Sequence, residues 1–179
     1  MTSAHKLSVL DASVIINLLA TEELDRILSV YNYTCIVPEQ VFSEIKRSPI
    51  TRMPYSARSH PILASRYLSV EKLSGNALDM FVDLVSGPAT SRLDDGEAAA
   101  IALAFARCAT LVIDERKARR IIKERYPSIV LHRSGDLICN LEFIRNVGQE
   151  ISEECRRKAI KFGRANLELT QTIALNGLR

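Results

Sequence analysis

Short apolar runs alternate with amphipathic segments along most of this chain. An apolar run at residues 7–10 is followed at once by a segment of helical periodicity at residues 12–20. Residues 110–113 are apolar almost throughout, as expected of a strand that is buried on both faces of a parallel sheet. Similar patterns predict strands at residues 34–38, 67–73 and 128–132, and helices at residues 22–32, 39–48, 74–87, 115–125 and 134–147. We therefore predict an α/β fold with a central parallel β-sheet.

Two segments depart from this alternation. Residues 47–66 contain three prolines and several turn-forming residues, and they predict a long connection of the kind that often carries a binding function. Its arginines Arg47, Arg52 and Arg58 are candidates for contacts with phosphate groups. Residues 150–174 predict a further helix, so we expect one domain at residues 1–148 with a helical C-terminal extension at residues 149–179.

Composition narrows the class of protein. The chain has 179 residues, which is enough for one domain with a substantial core. No apolar run reaches the roughly 18 residues of a membrane-spanning helix, and the N-terminus lacks the pattern of a secretory signal. The four cysteines and three histidines are scattered, which argues against a zinc site. We expect a cytoplasmic protein without a membrane segment.

Charge is distributed unevenly along the chain. Residues 115–179 contain 14 Lys and Arg against 8 Asp and Glu, whereas residues 1–114 contain 10 against 13. A basic half beside acidic clusters is typical of proteins that bind a polyanion through a metal ion. A solvated helix surface would explain the same arginines equally well.

Four acidic residues lie at the ends of predicted strands or helices. Asp11 and Asp114 follow strands, Glu97 lies in the first turn of a helix, and Glu44 borders the apolar face of another. The carboxyl edge of an open α/β sheet is where ligands bind. Four carboxylates brought together would repel each other, and a divalent cation removes that conflict. Because all the candidate ligands are oxygen atoms, Mg²⁺ or Mn²⁺ is expected, with a metal-bound hydroxide as the nucleophile in phosphodiester hydrolysis.

Helix capping is the competing explanation for these acids. Asp11 precedes a helix and could act only as its N-cap, although Ser13 is available for the same position. Asp94 and Glu97 have the spacing of a capping box, and Asp94 is interpreted chiefly as a cap. Capping explains one or two acids, whereas Asp94, Asp95 and Glu97 are three within four residues. Ser134 is likewise predicted as the cap of the helix that follows it.

Four sequence blocks together resemble the PIN domain family. They are DASVIINLL at 11–19, VPEQVFSEI at 37–45, GEAAAIALA at 96–104 and LVIDERKARR at 111–120. The similarity spans roughly residues 7–140, and it is closest to the toxin (VapC-like) ribonucleases of toxin–antitoxin pairs.

This resemblance implies a fold, an activity and a site. The fold would have three layers, α/β/α, and the activity would be that of an Mg²⁺- or Mn²⁺-dependent endoribonuclease. RNA would be the substrate, a small antitoxin protein the partner, and a homodimer the usual state. The catalytic and metal-binding residues would be Asp11, Glu44, Glu97 and Asp114. Asn17 would orient Asp11 or a metal-bound water. Asp94, Asp95 and Glu115 are additional acids that depart from the family pattern, and we interpret Asp95 and Glu115 as support for the metal-binding acids.

Other functions fit the sequence less well. A non-catalytic PIN-like module that binds RNA or protein is the main alternative, but such modules usually have substituted acids. A phosphoacceptor or phosphatase domain would need a second acid near Asp11, and residue 13 is Ser. A dinucleotide-binding domain would need a glycine-rich fingerprint after the first strand, which is absent from the sequence.

Overall fold

A computed structural model describes residues 6–56, 58–87, 92–163 and 165–167. Within these residues, five strands form one parallel sheet. They are β1 (Lys6–Leu10), β2 (Tyr33–Pro38), β3 (Leu68–Glu71), β4 (Thr110–Val112) and β5 (Leu131–His132). The order across the sheet is β3-β2-β1-β4-β5, so the strand order reverses between β1 and β4, with β2 and β3 on one side of β1 and β4 and β5 on the other. The predicted parallel α/β fold is confirmed.

Ten α-helices and one π-helical turn lie within the described residues. They are α1 (Ala12–Thr21), α2 (Leu24–Tyr31), α3 (Glu39–Glu44), α4 (Pro61–Ala64), α5 (Asn76–Ser86), α6 (Asp95–Ala106), α7 (Arg116–Arg125), α8 (Ser134–Ile138), α9 (Leu141–Val147), α10 (Gln149–Lys158) and the π-helical turn Ala159–Gly163. Helices α1, α2 and α8–α10 pack together, and α5 packs on α6. The three-layer α/β/α prediction is confirmed as well.

The core at the centre of the sheet is aliphatic. Val9, Leu10, Leu111 and Val112 are fully buried in the adjacent strands β1 and β4. Helix α6 contacts β1, β2 and β4, and its many buried alanines allow the close approach. Since β1 and β4 are parallel neighbours, the residues that follow them emerge side by side. This reversal point of the strand order is where α/β sheets form a ligand crevice.

Several predicted elements have different boundaries in the structure. The helix predicted at residues 39–48 ends at Glu44, and the strand predicted at residues 128–132 is confined to Leu131–His132. The helix predicted at residues 134–147 is two helices, because the Asn140 side chain accepts hydrogen bonds from the backbone of Glu142 and Phe143 at 2.8 and 3.3 Å. Asn140 thereby caps a new helix.

The C-terminal extension is only partly helical. Helix α10 ends at Lys158, and the π-helical turn that follows packs against α1 and α10. Residues 165–167 are not helical, and residues 168–174 of the predicted helix lie outside the described residues. None of the helices that the structure describes has the length and apolar character needed to cross a membrane.

Candidate functional site

An open pocket of about 700 Å³ lies at the carboxyl edge of the sheet, where β1 and β4 end. Three of the four predicted catalytic acids line it, namely Asp11, Glu97 and Asp114. Arg52, from the long connection between β2 and β3, and Arg116, from the first turn of α7, also line this pocket. We call it the carboxylate pocket. It combines negative charge in its interior with two cationic side chains.

Asp11 is held between β1 and α1. It is only 3% exposed, and its Oδ2 atom accepts hydrogen bonds from the Ser13 backbone at 3.2 Å and the Ser13 hydroxyl at 2.6 Å. Asp11 is therefore the N-cap of α1, and Ser13, the other candidate for this position, is not. The helix begins at Ala12, which leaves Ser13 inside the first turn. Burial raises the pKa of Asp11, although its hydrogen bonds act in the opposite direction.

Asp114 follows β4 and accepts hydrogen bonds from two residues. The Asn17 amide donates to Oδ2 at 2.8 Å, the Ser134 hydroxyl donates to Oδ2 at 2.7 Å, and the Ser134 backbone donates to Oδ1 at 2.9 Å. The Asn17 amide also donates to the Ser134 hydroxyl oxygen at 3.2 Å. Three well-directed donors fix the orientation of this carboxylate and stabilise its charge. Asn17 thus orients Asp114, whereas the resemblance implied Asp11 or a water.

Ser134 is a residue of this network whose contact with Asp114 was not predicted from the sequence. It was predicted as a helix cap, but Arg133 has the cap position and Ser134 is the first residue of α8. Its side chain is 1% exposed and is engaged with Asp114. One signal was present in the sequence. Ser134 follows β5 directly, and the ends of adjacent parallel strands meet at the same edge of the sheet.

Glu97 projects from the first turn of α6 into the carboxylate pocket. Burial, followed by the negative charge of Asp11, raises the pKa of Glu97 to about 7. The backbone N–H of Asp94 donates a hydrogen bond to the Glu97 carboxylate, which is one half of a capping box. Asp94 has the predicted N-cap position, but its own side chain makes no capping hydrogen bond. Helix capping therefore explains the position of Glu97 but not the acidic side chain of Asp94.

Glu44 lies beside the carboxylate pocket, at the end of α3, and is not one of its lining residues. Its carboxylate accepts a hydrogen bond from the backbone of Gly96, at the N-terminus of α6. The fit is tight, because a Cβ atom at Gly96 would lie 2.9 Å from the Glu44 Cδ atom. Partial burial and the nearby charges of Asp11, Asp94 and Asp95 raise the pKa of Glu44.

The two acids predicted to support the site occupy different positions. Glu115 lines the carboxylate pocket and caps α7, where its side chain accepts a hydrogen bond from the Lys117 backbone at 3.2 Å. Its charge contributes to the raised pKa of Glu97. Asp95 is exposed in the first turn of α6 and is not a lining residue. Asp95 acts on the site through its negative charge, which contributes to the raised pKa of Glu44.

The donor set bears on whether a divalent cation fits. In the described parts of the chain, no three acidic, histidine or cysteine side chains converge closely enough to hold a metal ion. Mg²⁺, however, usually takes only one or two carboxylates directly and keeps several waters. The carboxylate pocket offers oxygen ligands alone, and the buried Asn17 Oδ1 atom beside it has no hydrogen-bond partner. These residues fit a hydrated Mg²⁺ or Mn²⁺ rather than a cage of four direct carboxylates.

Comparison with known protein families gives one match. A family model described as a PIN domain matches residues 7–126, which is about two thirds of the chain. The match includes Asp11, Glu44, Glu97 and Asp114, but it ends before Ser134 and the C-terminal extension. Neither the curated proteins nor the solved structures include a significant match.

Proposed function

The chain belongs to the PIN domain family, and on that premise we propose that it is a metal-dependent endoribonuclease. PIN domains are generally nucleases, which makes hydrolysis of a phosphodiester the expected reaction class. The observation that carries the proposal is the carboxylate pocket itself. Asp11 and Glu97 both have raised pKa values there, partly because acidic neighbours repel each other. This arrangement favours binding of a cation and, through it, of a phosphate.

Asp11 and Asp114, with Glu97 and Glu44 nearby, are the residues that would hold Mg²⁺ or Mn²⁺. When bound, such a cation lowers the pKa of a water molecule and neutralises charge on the phosphate. Mutual repulsion among ionised acids is relieved by a positive charge, so these carboxylates bind the cation in their ionised form. Asn17 and Ser134 keep Asp114 oriented, as residues behind a metal ligand commonly do.

Two arginines complete the chemistry that this chain supplies. Arg52 and Arg116 line the same pocket as the acids, and the residues that the structure describes offer neither of them an ion-pair partner. A guanidinium group binds phosphate oxygens with two parallel hydrogen bonds. These side chains would therefore hold the RNA backbone and stabilise the negative charge that develops during cleavage.

A cleavage assay tests the proposed function directly. Purified protein is incubated with labelled RNA in Mg²⁺, Mn²⁺ or EDTA, and Asp11→Asn and Glu97→Gln are compared with the wild type. We expect cleavage only with a cation and a loss of about 100-fold or more in each variant, by analogy with removal of metal-binding or charge-stabilising groups elsewhere.

Two acids outside the carboxylate pocket provide matched controls. Asp83 on α5 and Glu153 on α10 are exposed, so Asp83→Asn and Glu153→Gln are expected to retain full activity. Cleavage that persists in EDTA, or in both pocket variants, would contradict the metal-dependent mechanism. RNA binding without any cleavage would instead favour the non-catalytic RNA-binding module.

We also propose that the protein acts in the cytoplasm as the toxin of a toxin–antitoxin pair, with a small antitoxin as partner and a homodimer as the active state. The support for this is the sequence resemblance described above. Expression of the chain alone should arrest growth, and co-expression of a small protein from the neighbouring reading frame should restore it. Growth unaffected by an active nuclease would contradict the toxin role and leave the nuclease proposal intact.

A further inference from the structure

The C-terminal extension contributes a wall to the carboxylate pocket. Phe162, Gly163 and Asn166 line this pocket, although all three lie beyond the region that matches the family model. The surrounding chain is anchored, because the backbone of Ala165 donates a hydrogen bond to the Ala159 carbonyl at 3.0 Å and Leu167 is 1% exposed. A backbone hydrogen bond and a buried side chain therefore hold this wall in place.

Gly163 fixes the position of this wall against α1. A Cβ atom at Gly163 would lie 2.8 Å from the Cα atom of Asn17, a distance that side chains do not tolerate. Asn17 is the residue whose amide holds Asp114. The absence of a side chain at Gly163 thus lets the C-terminal extension approach to within contact of the acidic network. The neighbouring Phe162 is carried to the edge of the carboxylate pocket as a consequence.

Phe162 is the aromatic residue that lines this pocket in the described structure, and its side chain is partly exposed. The Lys161 Nζ atom lies over this ring, 5.1 Å from its centroid, and adds a second cation beside the aromatic face. A partly exposed aromatic ring next to cationic side chains suits a nucleobase, because the bases of single-stranded RNA stack on aromatic side chains. Bases within a duplex have both faces covered by their neighbours, so a ring in this position would favour an unpaired nucleotide.

Arg52 approaches the same pocket from a separate, ordered loop. The loop is closed by a bridge between Arg47 and Pro54 and by a hydrogen bond from the Ser48 backbone to the Met53 carbonyl at 2.9 Å. Arg52 has a φ of 61°, in the left-handed region that a side chain rarely adopts. Strained backbone of this kind is concentrated at binding sites, where it aims a side chain.

We propose that Phe162 and Arg52 form a nucleotide subsite beside the acids, in which Phe162 stacks on a base of single-stranded RNA and Arg52 binds the adjoining phosphate. This inference rests on the proposed function, since it assigns the substrate as single-stranded RNA. It also gives the C-terminal extension a role in substrate selection. The subsite combines an aromatic face with a cation, which is how proteins bind single strands without reading their sequence.

Fluorescence of a Phe162→Trp variant tests the stacking. The chain contains no Trp, so this substitution introduces a single reporter. The full-length protein also carries Asp11→Asn, so that the RNA stays intact during the titration. We expect a short single-stranded oligoribonucleotide to quench the emission, and a blunt duplex of the same sequence to leave it unchanged.

Affinity measurements test the energetic contribution of the subsite. In the same Asp11→Asn background, Phe162→Leu should weaken binding of the single strand by about 5-fold or more, as expected for the loss of one stacked base. Phe162→Tyr should retain most of the affinity. Phe105→Leu is the matched control, because Phe105 is exposed on α6 and lines a different cavity.

Arg52 is tested by the salt dependence of binding. Arg52→Gln should reduce the slope of log affinity against log salt by about 0.7, as expected when one phosphate contact with a single strand is lost. Arg58→Gln is the control, since Arg58 is exposed in the same connection but does not line the carboxylate pocket.

The outcomes separate this inference from the proposed function. Unquenched emission together with wild-type affinity in Phe162→Leu would overturn the subsite, whatever the nuclease activity. Quenching by the single strand in a protein that shows no cleavage with any cation would uphold the subsite while contradicting the nuclease proposal. Equal quenching by the duplex would overturn the preference for single strands.

Discussion

The two sides of the carboxylate pocket treat negative charge in opposite ways. Beside β4 and β5, Asp114 accepts hydrogen bonds from Asn17 and Ser134 at 2.7–2.9 Å. Beside α6, Glu97 lies near other acids, and burial and their charges raise its pKa to about 7. The protein thus stabilises the anion on one side and leaves the anions on the other side destabilised.

Under the proposed function, the two sides would contribute differently to the binding of a cation. Donors that are already in place around Asp114 need no rearrangement when a ligand arrives, which is the advantage of a preorganised site. The repulsion around Glu97 and Glu44 instead disappears when a positive charge enters. If the proposed function is correct, Asp114 would be the fixed ligand of the cation, and the repulsion around Glu97 would favour the occupied site over the empty one.

The largest expected effect comes from removing the negative charge of Glu97, on the α6 side of the carboxylate pocket. Glu97→Gln should stabilise the metal-free protein at pH 8 by about 2 kcal/mol, because Gln keeps the shape of Glu without its charge. A raised pKa in the folded state means that ionisation opposes folding. Stability of the wild type should therefore fall as the pH rises from about 4.5 to about 7, and the advantage of the variant should vanish below that range.

Thermal or urea unfolding in EDTA at pH 4.5 and pH 8 measures this gain. Glu153→Gln, an exposed substitution on α10, should leave stability unchanged at both pH values. A Glu97→Gln variant that is less stable than the wild type at pH 8 would show that burial and the charge of Asp11 do not destabilise the ionised Glu97.

A smaller effect of opposite sign is expected on the side of Asp114. Ser134→Ala removes the hydroxyl that donates to Asp114 at 2.7 Å, and it should destabilise the protein by about 1.5 kcal/mol, as expected for a hydrogen bond to a charged group. Urea unfolding at pH 8 measures this loss, and Glu97→Gln should change stability in the opposite direction under the same conditions.

A double-mutant cycle isolates the Ser134–Asp114 contact. If the hydroxyl acts through the carboxylate, Ser134→Ala should cost markedly less in an Asp114→Asn background than in the wild type. Equal costs in the two backgrounds would mean that the Ser134 hydroxyl acts through packing or through its contact with Asn17, and the proposed orientation of Asp114 by this hydroxyl would lose its support.

The positions predicted from the sequence are those that local patterns determine. Asp11 and Asp114 follow apolar strands, and parallel strands bring their carboxyl ends to one edge. Glu97 lies in a first helical turn next to a run of alanines that press against the sheet. For these residues, strand order and helix start are sufficient, and the approximate place of each side chain follows from them.

The remaining parts of the site depend on contacts between distant segments. Asn17 orients Asp114 rather than Asp11 because α1 passes close to the end of β4, which the spacing of residues does not reveal. Phe162 and Gly163 line the pocket from a π-helical turn that lies within the helix predicted at residues 150–174. This turn packs on α1, a contact between distant segments that sequence periodicity does not reveal.

The smallest expected effect concerns Glu44 and tests whether this residue belongs to the group of acids that repel each other around Asp11 and Glu97. Gly96→Ala places a Cβ atom where the Glu44 carboxylate now lies, but this carboxylate is the free end of an exposed side chain and can swing outward. We expect a stability change within about 0.5 kcal/mol, since the relief of repulsion and the gain in helix propensity offset the lost hydrogen bond. The pKa of Glu44, measured by carbon-detected NMR titration of the side-chain carboxyl, should fall towards its ordinary value as the group leaves Asp11 and the acids of α6.

Gly163→Ala is the matched comparison, because its added Cβ meets the backbone of Asn17 and should cost about 2 kcal/mol. An unchanged Glu44 pKa in Gly96→Ala would limit the repelled cluster to Asp11 and Glu97.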